Sequence, residues 1–234
     1  MRDICGLQAR RCDRYTAPVP IHSDRILYED AHLLIVNKLP SELVVAASGE
    51  GKLPLFDFLK KDYPGLRVLH RLDFGTSGVI AFARSAEVVA KVRISKFGGW
   101  KKYYHALVAG RMTRREGTIR KPLRARTHEG MVEAVTHYAV LATFRDATYV
   151  EARIETGRKH QIRQHFAGIG HPLLLDPLYG DKKADRAFAR RFHYHRFFLH
   201  ASSLTLLHPI TGEIVRVAAP LPKVFAEAVE RLQP

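Results

Sequence analysis

The apolar positions of this chain fall into short runs and short periodic stretches, separated by polar turns. Residues 33–36 form an uninterrupted aliphatic run, which predicts a strand buried on both faces. Residues 55–63 carry helical spacing and stop at Pro64-Gly65. The polar segment 70–78 reads as a loop that runs into an apolar strand at 79–83. Ser85 is placed to cap a helix through Phe97, with Val88 and Val92 one turn apart and Gly98-Gly99 as the stop. Strands are predicted at 104–108, 135–144 and 149–154; in the last, Val150, Ala152 and Ile154 alternate with charged residues. Residues 159–169 read as a helix with Ile162, Phe166 and Ile169 on one side. A strand at 198–207, a turn at 208–212, a strand at 214–217 and a helix from Pro222 complete the pattern. Strands outnumber helices and often follow one another directly. That predicts an α+β fold with a mixed, mostly antiparallel sheet flanked by helices and loops. Residues 1–24, with Pro18 and Pro20, read as an irregular lead-in, and 25–234 as one domain.

Composition changes this picture in one respect. Hydrophobic residues make up 46% of the 234 positions and charged residues 26%, an ordinary globular balance. The 38 Lys and Arg against 23 Asp and Glu are less ordinary, giving a net charge of +15. Twelve of the basic residues lie between 91 and 126, where Glu116 is the single acid, and Phe97, Trp100, Tyr103 and Tyr104 lie among them. Concentrated positive charge with interleaved rings suits a surface that tracks phosphates, so a nucleic-acid partner is expected. The charge alone does not separate RNA from DNA, or binding from catalysis.

Other classes are disfavoured. Cys5 and Cys12 make neither a disulfide framework nor a complete zinc site. The first thirty residues hold no apolar leader core, and no run approaches a membrane span, so a cytosolic chain acting without a membrane is expected. No GxGxxG or Walker loop is present, so no nucleotide cofactor is expected. His193 and His195 stand two apart, with the spacing of one side of a strand, and His200 follows; no HExxH accompanies them, so a metal-dependent hydrolase is a minor alternative.

Two stretches carry candidate chemistry. In His70-Arg-Leu-Asp-Phe-Gly-Thr-Ser-Gly78, Asp73 is a carboxylate at the mouth of a strand, where loops often hold reactive groups. The structural alternative is an Asx-turn, with Asp73 bonded to Gly75 or Thr76, and Arg71 as its local salt-bridge partner. In Glu155-Thr-Gly-Arg-Lys-His-Gln-Ile-Arg-Gln-His165, Arg158, Lys159 and His160 surround a helix start and could hold phosphate there. Gly170-His-Pro172 and Asp176-Pro-Leu-Tyr-Gly180 follow.

Together these stretches resemble the pseudouridine synthases with an HRLDxxTSG signature, which act on ribosomal and transfer RNA. The resemblance continues through Lys102-Tyr-Tyr-His-Ala-Leu-Val-Ala-Gly110, similar to a KxYxAxVxG strand, and through residues 156–163 and 199–213, covering about residues 24–220 in order. Two departures stand out. Asn37-Lys-Leu-Pro-Ser41 replaces an NKPxG segment, and Leu175 stands where a glycine tends to precede the later aspartate.

The resemblance implies the pseudouridine synthase fold with a central catalytic cleft in a domain spanning 25–234. It also implies an isomerase that needs no cofactor, acts on RNA as a monomer, and flips its target uridine out of the stack. It assigns Asp73 as the nucleophile, Arg163 as its ion-pair partner and Tyr104 as the stacking ring and candidate base for the C5 proton. Arg71 would fill the place of the flipped base, and Ile162 would pack beneath that base. Thr76, Lys102, Arg124 and Arg126 join the expected RNA contacts. For Tyr104 the alternative is a core aromatic. For the whole chain it is a non-catalytic RNA-binding protein of the same fold. The segment 135–138 and the shortness of the lead-in lean the expected target toward transfer RNA or a stem-loop.

Overall fold

Leu33, Leu34, Ile35 and Val36 are all fully buried, as an aliphatic run without polar alternation requires. They lie in β2 (Leu33–Lys38), which pairs with β1 (Ile26–Glu29) on one edge. The computed structural model describes residues 21–46, 54–125 and 130–233. The cysteines, most of the lead-in, and Arg126 lie outside the described residues.

After β2 come α1 (Leu55–Asp62), the short β3 (Arg67–Val68), β4 (Ser77–Ala83) and α2 (Ala86–Ile94). All seven residues of β4 are buried, because α1 and α2 cover opposite sides of this half of the sheet. Leu33, Ile35, Val79 and Ala81 face Val88 and Val92 of α2, while Leu34, Val36, Ile80 and Phe82 face Leu55 and Leu59 of α1. Ser85 caps α2 by accepting the Val88 N–H at 3.3 Å. The helix ends at Ile94, ahead of the expected Phe97, because the chain turns left-handed at Lys96 and Phe97 before the glycines are reached.

The second half begins with β5 (Lys101–Ala109), β6 (Glu116–Arg120) and the hairpin β7 (Leu123–Arg124) and β8 (Met131–Val132). It continues with β9 (Val135–Thr143), β10 (Ala147–Ile154), α3 (Gln161–Gly168) and α4 (Lys182–Phe192). It closes with β11 (Leu199–Leu207), β12 (Ile214–Ala218) and α5 (Lys223–Leu232). Here α3 packs on one face through Ile162 and Phe166, and α4 and α5 on the other through Phe188, Phe192 and Phe225. The helix α4 was not among the expected elements, although Ala184, Phe188 and Phe192 recur every four residues on its buried side amid Lys, Arg and Asp. Asp181 caps it on the N–H groups of Lys183 and Ala184. Its extent corrects the strand reading of His193 and His195. His193 is the left-handed C-cap of α4, and His195 lies in the loop that follows.

The main sheet runs β1-β2-β4-β11-β5-β10-β9-β6, with β12 on β11 and β3 on β4. Among the described residues its one parallel pair is β4 with β11, at the centre, where the two halves meet. Gly78 opposes Ala201, and Ala201 opposes Tyr104 on β5. Gly78 has φ +107°, and a Cβ there would strike the Ala201 backbone, so only glycine lets β4 approach β11 this closely. The loop ahead of β4 therefore opens at the sheet centre, near Tyr104. Among the described residues no helix is long and apolar enough to cross a membrane.

Candidate active site

The loop before β4 is shaped by its backbone and by the side chains of His70 and Lys38. The Thr76 N–H donates to the Asp73 carbonyl at 3.1 Å, closing the turn without the Asp73 side chain. The bend is thus made by the backbone and not by the alternative Asx-turn, which leaves the carboxylate available. His70 accepts the Ala81 N–H on Nε2 at 3.1 Å, tying the loop back to β4. Burial, then the charge of Lys102, hold His70 well below the ordinary histidine range, consistent with a neutral acceptor. Lys38, at the end of β2, is fully buried and donates Nζ to the carbonyls of Leu39 and Phe74 at 2.9 and 3.2 Å. Desolvation pushes its ammonium down to about 7, against the pull of Glu42 and Asp73. The Ser41 N–H bonds the same Phe74 carbonyl at 2.8 Å.

Asp73 meets the second motif here. Arg163, in the first turn of α3, donates from Nη1 to Asp73 Oδ2 at 3.2 Å. Its other edge is held by Asp176 in two bonds, Nε to Oδ2 at 2.6 Å and Nη2 to Oδ1 at 2.7 Å. The guanidinium is further framed by the rings of Tyr179 and Phe197, 5.2 and 4.6 Å from their centres. Burial alone would lower the Arg163 pKa, but Asp176 and Asp73 together raise it above the ordinary value. Asp176, also penalised by burial, is held below the carboxylate range by Arg163 and by the N–H groups of Leu178 and Tyr179. The expected Arg163–Asp73 pair is present, yet the stronger partner of Arg163 is Asp176.

Tyr104 is 7% exposed and packs with Ile162, Leu199 and Ala201. Burial, then the charge of Asp73, raises its phenol above the usual range. Ile162 is buried in the same cluster, one residue from Arg163. Thr76 is also buried, and its hydroxyl has no partner among the described residues. Lys102 is half-buried. It lies over Phe97 and Trp100, 5.2 Å from each ring centre, and burial lowers it to about 8.

The remaining candidates divide. Arg71 is exposed and makes no ion pair with Asp73. Arg158 and Lys159 are exposed on the loop before α3, with Arg158 Nε bonded to the Glu133 carbonyl at 3.1 Å. His160 turns inward instead of outward. Its backbone is left-handed, φ 54° and ψ 28°, so α3 starts at Gln161 and the imidazole faces Asp73. Gln161 fixes that start by bonding the Arg158 N–H and the Val135 carbonyl. His165 is fully buried on Thr136 and the Lys121 carbonyl. His200 is buried between Ser77 Oγ and the Ala219 carbonyl, and burial lowers its pKa to about 4. Arg124 is exposed on β7.

Sequence reasoning missed Lys38, Asp176, Tyr179 and Phe197 as site residues. The signals available were the Asn37-Lys38 pair ending an apolar strand and the 176–180 run. Both departures from the family pattern acquire a physical meaning. Ser41 and Leu175 have φ of 64° and 63°, the left-handed conformation that glycine adopts freely. For Ser41→Gly, relief of about 1–2 kcal/mol of left-handed strain exceeds the roughly 0.5–1 kcal/mol entropic cost of glycine. A thermal melt should therefore rise by a few degrees, and a lower melting temperature would refute the strain.

Away from this site, at the far end of α3, a cleft of about 550 Å³ is lined by Arg114, Arg120, Lys121, His171 and Tyr138 among others. A neighbouring cleft of about 590 Å³ includes Arg111 and Arg115. No acidic residue lines either.

Comparison with known proteins agrees with this geometry. Residues 32–168 match the family model described as RNA pseudouridylate synthase. The chain is 36% identical over 229 residues to ribosomal large subunit pseudouridine synthase D of Pasteurella multocida (strain Pm70), covering 89% of this chain and 70% of that protein. It is 32% identical over 218 residues to ribosomal large subunit pseudouridine synthase C of Vibrio cholerae serotype O1, covering 89% and 69%. The solved structure of human RNA pseudouridylate synthase domain containing 4 superposes with a TM-score of 0.73 at 25% identity, covering 88% of this chain and 92% of that one.

Proposed function

The chain belongs to the RNA pseudouridylate synthase family, and on that premise we propose that Asp73 is the carboxylate through which it isomerises uridine, with large-subunit ribosomal RNA as its substrate. The observation that carries the reading is the placement of Asp73. It stands at the sheet centre, partly exposed, with Oδ2 on Arg163 and that arginine locked from behind by Asp176. Pseudouridine formation breaks the N1–C1′ bond, turns the base and joins C5 to C1′, so no electrons are gained or lost overall. A carboxylate beside the sugar suits it, and a fixed guanidinium aims that carboxylate. Tyr104 and Ile162 form the apolar wall next to it, where a flipped base can stack. A phenol held above its usual range is protonated at neutral pH, which favours Tyr104 as the stacking surface over a resting base.

The names of the relatives weigh toward ribosomal RNA and away from the transfer RNA leaning of the sequence. Carbodiimide primer extension on RNA from strains with and without the gene tests this. Loss of a pseudouridine from the large ribosomal RNA is expected. Loss confined to a transfer RNA would sink the target while leaving the activity standing.

The acid-free clefts beyond α3 suit the RNA backbone outside the target nucleotide. Reversing Arg114 and Arg120 to Glu should weaken RNA binding at low salt and flatten the plot of log affinity against log salt by about two in slope. An unchanged slope in a filter-binding titration would move the RNA path elsewhere.

A further inference from the structure

Resting on the reading of Asp73 as the reactive carboxylate, we propose that His160 is a positioning residue that holds the second oxygen of Asp73, oriented by the Tyr179 hydroxyl. Arg163 occupies Oδ2 alone. The other oxygen, Oδ1, faces His160 Nε2 at 3.7 Å. On the far side of the ring, Nδ1 lies 3.1 Å from the Tyr179 hydroxyl, and the two rings meet edge-on at 77°. With Tyr179 donating to Nδ1, the imidazole proton resides on Nε2 and points at Asp73. The 3.7 Å gap is slightly longer than a hydrogen bond, as donor–acceptor pairs often are before substrate tightens a site. The carboxylate is then gripped at both oxygens, and its plane is set for the reacting sugar.

The backbone supplies a second, independent argument. His160 occupies the N-cap of α3 in the left-handed region, where glycine or asparagine would be less strained. An ordinary N-cap is extended and caps the helix with its own side chain, and His160 does neither. The helix start is instead secured by Gln161. Strain retained at a position whose side chain does not serve the helix points to a use for that side chain. Here the left-handed turn is what brings the imidazole to Asp73.

The groups facing His160 are Asp73 from the loop before β4, Lys159 beside it, Arg163 on α3, and Asp176 and Tyr179 from the following loop. Burial lowers its pKa, Asp73 opposes that, Arg163 and Lys159 add to it, and Asp176 opposes it. His160 is therefore neutral at neutral pH. On acidification it becomes a cation that ties up the Asp73 charge, so the rate acquires an acid limb below the ordinary histidine range.

The test is single-turnover release of tritium from total RNA carrying 5-tritiated uridine, taken from a strain lacking the gene, as a function of pH, with a melting curve for each variant. His160→Gly is expected to lose about a hundredfold in rate, the size of a positioning error, while its melting temperature stays level or rises as the strain is released. His160→Gln keeps a donor near Nε2 but cannot ionise. It should recover most of the rate and lose the acid limb. Tyr179→Phe should slow the reaction and displace the acid limb. A purely structural role predicts instead that rate and melting temperature fall together and that the pH profile keeps its shape. A His160→Gly enzyme with wild-type rate and acid limb would overturn the inference alone, provided Asp73→Asn is inactive. An active Asp73→Asn enzyme would remove the underlying reading as well.

Discussion

Asp73→Asn is expected to abolish tritium release from 5-labelled uridine RNA while RNA binding and the melting temperature stay near those of the parent. The turn around residue 73 explains why the fold should survive. It is closed by the Thr76 N–H on the Asp73 carbonyl, and the Phe74 carbonyl is held by Lys38 and Ser41, so the carboxylate carries none of this geometry. Arg163 does not lose its main counter-charge either, because Asp176 grips two of its nitrogens. What the amide removes is the negative charge that faces the sugar. A neutral amide is neither a nucleophile nor a base of useful strength, so the loss should reach the detection limit. Asp73→Glu keeps the charge but moves it by about one methylene, a displacement of the order that costs roughly a hundredfold. Measurable turnover by the Asn enzyme would end the case for Asp73.

The parts of the fold that were legible in the sequence are those where burial left a pattern. The runs in β2 and β4 are continuous because helices cover both faces, and the alternation of Val150, Ala152 and Ile154 marks one face of β10 packed on α3. The helix α4 was passed over although it carries a stripe: Ala184, Phe188 and Phe192 recur every four residues, but the stripe is narrow and sits in a segment dominated by Lys and Arg. In the site, Asp73 and Arg163 were reached through the motifs and not through spacing. They are 90 residues apart, and only the parallel pairing of β4 with β11 and the packing of α3 bring them together. Lys38 was missed because a lysine ending an apolar strand ordinarily marks the return to solvent, whereas this one turns under the Asp73 loop. His160 shows how one backbone angle escapes sequence reading. Beside Arg158 and Lys159 it belongs to an anion-binding helix start by composition, and one left-handed φ, invisible to periodicity, redirects it to Asp73.

Asp176→Ala should produce the largest stability loss of any single change at the site. Asp176 has no exposed side-chain surface and Arg163 only 4%, so neither charge has water to fall back on. Deleting one partner of such a pair costs about 3–5 kcal/mol, because the other is left buried and uncompensated. For a chain of this size that corresponds to a fall of roughly 10 °C in melting temperature. Asp73 cannot substitute, since it reaches Arg163 through one bond of 3.2 Å and remains partly exposed. The loss should extend to catalysis, because the N–H groups of Leu178 and Tyr179 lose their acceptor and Tyr179 loses its hold on His160. The pH dependence has a definite sign. Arg163 and the backbone N–H groups hold Asp176 below its unfolded value near 3.8, so its contribution is fully present above that value and drains away as pH falls through the lower folded one. The parent should therefore lose stability at acid pH more steeply than the alanine variant, and the two melting curves should converge there. A double variant, Arg163→Met with Asp176→Leu, separates charge from shape. Removing both charges together should recover much of the stability lost by Asp176→Ala, while activity stays absent because Oδ2 of Asp73 then has no cation to hold it. A melting temperature for Asp176→Ala within a degree of the parent at neutral pH would contradict the buried pair as the support of this site.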